Sequence, residues 1–189
     1  YLHAYLQAVR QYRALVREKR IDCDFSDEAS YVYAAPDGPR LERELECAQL
    51  LGAPVRLARP EGLPFAVREA VCFDHQAQFS PLPFLAALVP ELTVYENSPV
   101  RDVRAHAVRC DGGTVRAEQI VVATHFPMLD RHGLYPLRLR QERSYILALA
   151  DTPPLSGMWL DAGEDGWSLR RCGELLLLGG GAHRCGVNL

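Results

Sequence analysis

Apolar side chains recur every third or fourth position at the start of the chain. Leu2, Tyr5, Leu6, Val9, Tyr12, Leu15 and Val16 follow this spacing, with Arg and Gln between them. The pattern predicts an amphipathic helix over residues 1–20, about five turns at 3.6 residues per turn. The period then changes. Ser30-Tyr31-Val32-Tyr33-Ala34 alternates and is rich in β-formers, which predicts a strand within 22–35. Pro36-Asp37-Gly38-Pro39 breaks it. Leu41, Leu45, Ala48 and Leu51 share one face of a second helix, and Gly52 stands where a C-terminal cap belongs. Residues 53–63 read as loop and short extended pieces, punctuated by Pro54 and Pro60. A strand over 66–73 leads to Gln76-Ala77-Gln78-Phe79-Ser80-Pro81. Ser80 suits an N-cap and Pro81 the first helical position, with Phe84, Leu85, Leu88 and Val89 as the buried face of that helix.

Residues 93–127 read as three or four short strands, including Val94-Tyr95, with a hairpin turn at Asp111-Gly112-Gly113. The β-branched run Ile120-Val121-Val122-Ala123 predicts a strand covered on both faces, as in a parallel sheet. Ligands bind just beyond the carboxyl ends of such strands, so Ala123-Thr124 marks a candidate cofactor edge. A loop is expected over 126–136 and a strand within 137–150. Met158-Trp159-Leu160, Trp167-Ser168-Leu169-Arg170 and Leu175 to Leu178 read as three further antiparallel strands, closed by a glycine-rich turn at Gly179-Gly180-Gly181.

The totals narrow the class. Over 189 residues, 48% hydrophobic and 24% charged content is ordinary for a folded globular chain. A net charge of −3 with scattered basic residues gives no reason to expect nucleic acid. The longest apolar run is far short of a membrane span. Six cysteines at irregular spacing, with no C-x-x-C pair, argue against structural zinc and for reduced, semi-buried thiols; cytoplasm is the expected compartment. There is no G-x-S-x-G, H-E-x-x-H or G-K-[ST] motif, and no metal ligand set is expected. Asp22, Asp24, Asp161, Glu164 and Asp165 read as solvated turn residues.

The order of these motifs resembles the family of FAD-dependent oxidoreductases that contains D-amino-acid oxidase, glycine oxidase and sarcosine oxidase. Val94-Tyr95, Val100, the Asp111–Gly113 turn and Val121-Ala123-Thr124 resemble the second half of its flavin-binding domain. The stretch from Trp167 through His183 is similar to its strand pair beside the substrate. The family's G-x-G-x-x-G turn, which receives the pyrophosphate at a helix N-terminus, is missing here. The chain also starts inside a helical pattern and stops soon after the glycines, so the sequence reads as an internal fragment of a larger protein.

The resemblance implies an α+β fold: an antiparallel substrate-domain sheet with flanking helices, plus part of a three-layer, glutathione-reductase-like FAD-binding domain. Residues 1–20 would be a helix at the domain junction, 21–75 and 129–189 the substrate domain, and 76–128 the FAD-binding part. Pro99, Val100, Ala123, Thr124 and His125 are the implied cofactor contacts. Arg170 and His183 are the implied catalytic-site residues. Arg170 shares a strand face with Ser168, and its guanidinium suits a substrate carboxylate. His183 follows the glycines and would face substrate or flavin; Gln141, Arg143 and Tyr145 are weaker candidates of the same kind. The implied activity is oxidation of a small-molecule amine or amino acid by hydride transfer to FAD, with an acceptor such as oxygen. A non-catalytic binding module without flavin and a nicotinamide-only dehydrogenase are the alternatives.

Overall fold

The computed structural model describes residues 2–59, 62–127, 134–163 and 166–185. They form two compact units: one made of Tyr1–Ala87 with Glu142–Leu189, the other of Leu88–Gln141.

The first unit carries helix α1 (Leu2–Lys19), strand β1 (Ser26–Ala34), helix α2 (Glu42–Leu50), strands β2 (Val55–Ala58) and β3 (Glu69–Gln78), and the start of helix α3 (Pro81–Leu88). The helical spacing at the chain start is realised as α1, yet none of its residues is buried. It is held at its edges. Arg13 donates to Asp27 at 2.8 Å, and the Tyr12 ring lies 5.3 Å from Phe79 and 5.5 Å from Phe84. Helix α2 buries Ala48, with Leu41 buried at its N-cap, while Leu51 is exposed. Its end is a Schellman arrangement: Gly52 (φ +78°) donates to Gln49 and Ala53 to Ala48. In α3 only Phe84 is buried; Leu85, expected on the same face, is exposed.

In the second unit a short 3-10 turn, Val89–Glu91, is followed by β4 (Val100–Arg104), β5 (Ala107–Cys110), β6 (Gly113–Arg116) and a single helical turn, α4 (Tyr135–Arg138). Strands β4, β5 and β6 form an antiparallel meander. Cys110 pairs with Gly113, so the turn lies at Asp111-Gly112 as the sequence predicts.

Two expectations fail in this unit. Val94-Tyr95 is not a strand and both side chains are exposed. The run Ile120-Val121-Val122-Ala123 is not a buried strand either: Val121 is 86% exposed and Val122 46%. The physical reason is pairing. Backbone N–H and C=O groups need a neighbouring ladder before β-branched side chains can be covered, and no described strand lies beside this run. The strand expected over 137–150 is also shorter at its start, because α4 occupies residues 135–138.

The remaining strands, β7 (Glu142–Leu149), β8 (Met158–Asp161), β9 (Ser168–Cys172) and β10 (Leu175–Arg184), complete a seven-stranded sheet in the first unit, ordered β2-β3-β1-β8-β9-β10-β7. Every pairing is antiparallel except β1 with β8. The fold class is α+β, with a mixed sheet where an antiparallel one was expected. The glycines at 179–181 do not form the expected turn. They continue β10, which bulges between Gly180 and His183.

Alternation separates the two faces of this sheet. One packs the larger core: Tyr33, Ala58, Ala70, Cys72, Leu155, Trp159, Leu169 and Leu176. Tyr31 stacks on Trp159 at 4.1 Å and 9°, and the indole Nε1 donates to the Ser156 carbonyl at 2.9 Å. Gly157 (φ +81°) lets the preceding loop cross this stack, since a Cβ there would lie 2.6 Å from the Tyr31 ring. The other face buries Ala34, Leu41 and Val71 at the β1–β3 end.

Candidate functional site

The second face opens into a cavity of about 260 Å3 across five adjacent strands. Register explains its composition. Ser30 on β1 pairs with Met158 on β8, Leu160 with Ser168 on β9, Ser168 with Gly179 on β10, and Gly179 with Ile146 on β7. Arg170 lies two residues beyond Ser168, opposite Leu177. The cavity wall is therefore apolar, with two serines and one guanidinium as its polar groups. The aromatic stack on the opposite face fixes β1 and β8 from behind.

Arg170 Nη1 donates to Gln78 Oε1 at 3.4 Å, a long bond that leaves most of its donors available. The same side chain borders a second cavity of about 320 Å3, which Asp24, Ser26 and Ser80 also line. Arg170 thus stands on the partition between two hollows, tied to the last residue of β3.

His183 is placed differently. It pairs with Arg143 past the bulge in β10 and is not among the residues lining the Arg170 cavity. Its ring stacks on Tyr145 at 5.4 Å and 19°, and its Nδ1 lies 3.1 Å from the Gly181 carbonyl. A carbonyl only accepts, so Nδ1 is the donor in that contact. Tyr145 is on the face opposite Ile146, and hence opposite the cavity. Gln141 lies outside any strand, at the end of the second unit.

The five expected cofactor residues all lie in the second unit. Val100 opens β4, half-buried and paired with Cys110, directly after Pro99. Ala123, Thr124 and His125 are exposed, and the Thr124 hydroxyl donates to the Phe126 carbonyl at 2.9 Å.

Among the described residues the remaining reactive groups do not assemble a separate catalytic centre. Burial pushes the Cys72 thiol and the Tyr31 phenol above their ordinary values, and Cys72 lies 3.4 Å from Asp74 Oδ1, which favours the neutral thiol further. Burial, with a smaller effect from the Asp161 carboxylate, pushes Tyr33 up to about 12. Among the described residues no three His, Cys, Asp or Glu side chains gather as a metal cluster. No described helix is long and apolar enough to cross a membrane. Glu164 and Asp165 lie outside the described residues.

Sequence reasoning missed Ser30, Ile146, Met158 and Gln78. Ser30 alternates with Tyr31 in plain view, but only the β1–β8 register shows what it faces.

Comparison with known proteins follows the same outline. A family model described as FAD dependent oxidoreductase matches residues 1–187. A curated protein of Bacillus subtilis (strain 168), provisionally named a Rieske 2Fe-2S iron-sulfur protein (YhfW), is 29% identical over 98% of this chain. Glycine oxidase from Geobacillus kaustophilus superposes with a TM-score of 0.72 over 97% of the chain at 21% identity. L-proline dehydrogenase from P. horikoshii gives 0.69 over 96% at 12% identity. At such identities the two structures establish the fold. The chain spans 40% of the length of the curated relative, and 56% and 55% of the two structures.

Proposed function

We propose, on the premise that the chain belongs to the FAD-dependent oxidoreductase family, that the protein it comes from oxidises a small amine or amino acid. The chemistry that FAD would supply when bound is acceptance of the hydride from the carbon that bears the amine. The chain's own residues would do the rest. Arg170 would hold the substrate carboxylate through paired guanidinium donors, with Gln78 restraining its position. Ser30 and Ser168 would orient the polar end of the substrate, and the apolar wall would receive its carbon skeleton. His183, stacked on Tyr145 away from the Arg170 cavity, has no part in this substrate reading. Pro99, Val100, Ala123, Thr124 and His125 would contact FAD, with 76–128 serving the cofactor and 21–75 and 129–189 the substrate. Free cysteines throughout the described residues favour a reducing compartment such as the cytoplasm.

The observation that carries this reading is Arg170 in a small cavity on the sheet face whose other polar side chains are Ser30 and Ser168, within a chain matched along nearly its whole length by the family model. The test is anaerobic addition of amino acids to the full-length protein. Bleaching of the flavin band near about 450 nm supports the reading. A protein that carries no flavin band supports a binding module instead, and a band that only a nicotinamide nucleotide bleaches overturns the substrate assignment. Oxygen is the proposed acceptor; the iron-sulfur name of the curated relative favours a second, one-electron route. Oxygen uptake during turnover separates the two.

A further inference from the structure

We propose that Gly179 and Ser168 together set the size of the amino-acid side chain that the Arg170 cavity admits. The inference rests on the substrate reading above. The two residues are register partners on β10 and β9, and both line the cavity. A Cβ built on Gly179 would lie 2.6 Å from Ser168 Oγ, closer than real Cβ contacts come. The serine hydroxyl therefore occupies the space that any side chain at 179 would need. Backbone freedom is not the reason for glycine, because Gly179 is not among the residues with positive φ. Room is the reason.

The cavity wall at this point is bare backbone under a hydroxyl, with Ile146 as the next residue across the β10–β7 ladder. Leu177 and Arg170 form the neighbouring pair on the same face. A substrate whose carboxylate is held by Arg170 would thus meet Gly179 with its side chain and Ile146 beyond it. At about 260 Å3 the hollow falls below the roughly 300–1,000 Å3 of ordinary ligand pockets. The structure assigns it to α-amino acids with short side chains, and makes the 168–179 pair the determinant of how short.

The test uses the full-length holoprotein. Gly179→Ala adds a methyl group and displaces the Ser168 hydroxyl; the glycine-to-valine ratio of kcat/KM is expected to rise at least tenfold. Non-reacting carboxylates give a readout without turnover. The thermal shift produced by pivalate should shrink relative to that produced by acetate. Ile146→Ala opens the slot from the other side. That residue is exposed, so the variant should fold, and the ratio should move at least threefold the opposite way. Ser168→Ala combined with Gly179→Ala removes the clash, so thermal stability should recover while the size preference remains. If both ratios stay within twofold of wild type, the proposal is overturned. It is equally overturned if the double variant restores stability and no variant shifts size preference, which is the outcome of a purely structural role. If carboxylate discrimination shifts as expected but no amine reduces the flavin, the size filter stands and the oxidation reading falls.

Discussion

Two stretches of this chain invert the usual rule of β-propensity. Residues 120–122, Ile-Val-Val, are among the strongest strand formers in the sequence, yet they lie outside any strand, Ile120 half-buried and both valines exposed. Residues 179–181, Gly-Gly-Gly, are among the weakest, yet they continue a ten-residue strand. The difference is neighbours. Strand β10 is flanked by β9 and β7, and both ladders run through Gly179. Strand identity here follows from pairing and cover, with residue preference as a secondary influence.

The paired side should respond most strongly to substitution. Trp159 is 5% exposed and stacked on Tyr31, on the core face of the same sheet. Trp159→Ala should cost about 3–5 kcal/mol in urea unfolding of the 189-residue chain. A loss below about 1 kcal/mol would mean that this face is not the core. Tyr33 tests the same core through pH. Its folded value of about 12 lies above the ordinary 10, so its contribution is complete below pH 10 and is lost as pH rises towards 12. The loss should amount to roughly 2–3 kcal/mol at pH 12. Tyr33→Phe should flatten that alkaline limb while leaving the neutral range stable, and an unchanged limb would assign it to other groups.

Gly180 is the next probe. A Cβ there would lie 2.3 Å from the Trp167 ring, so Gly180→Ala should cost roughly 1–3 kcal/mol by overpacking. Trp167→Ala in the same chain should remove most of that penalty; additivity of the two changes would contradict the seat drawn for the indole. The smallest effect is expected at the bare run. Val121→Ser should stay within about 0.5 kcal/mol in the 189-residue chain. A loss above about 1 kcal/mol would show that residues 120–122 are covered after all.

Period and turn chemistry made much of the fold legible. Helices α1 and α2, the Gly52 cap, the Asp111-Gly112 hairpin and strands β8 and β9 all follow from local pattern. What the sequence could not supply was partnership. Nothing local says that β1 lies beside β8, so the role of Ser30 was invisible, and nothing local says that residues 120–123 lack a neighbour. At the site, strand alternation put Arg170 and Ser168 on one face, as the cavity requires. It could not see the bulge past Gly180, which takes His183 out of the alternation that its number alone implies.

The parallel β1–β8 pairing has a kinetic consequence. Ser30 meets Met158 across a separation of 128 residues, 158 minus 30. During synthesis β1 can join β3 and β2 early, but its other edge must wait until the last quarter of the chain emerges. Loop closure grows only as the logarithm of length, so the equilibrium cost of this wait is modest. The cost in time is larger, because distant pairings slow folding and leave an edge open to wrong partners meanwhile. Joining of the β3–β1 half to the β8–β7 half should therefore be the slow step in making this sheet.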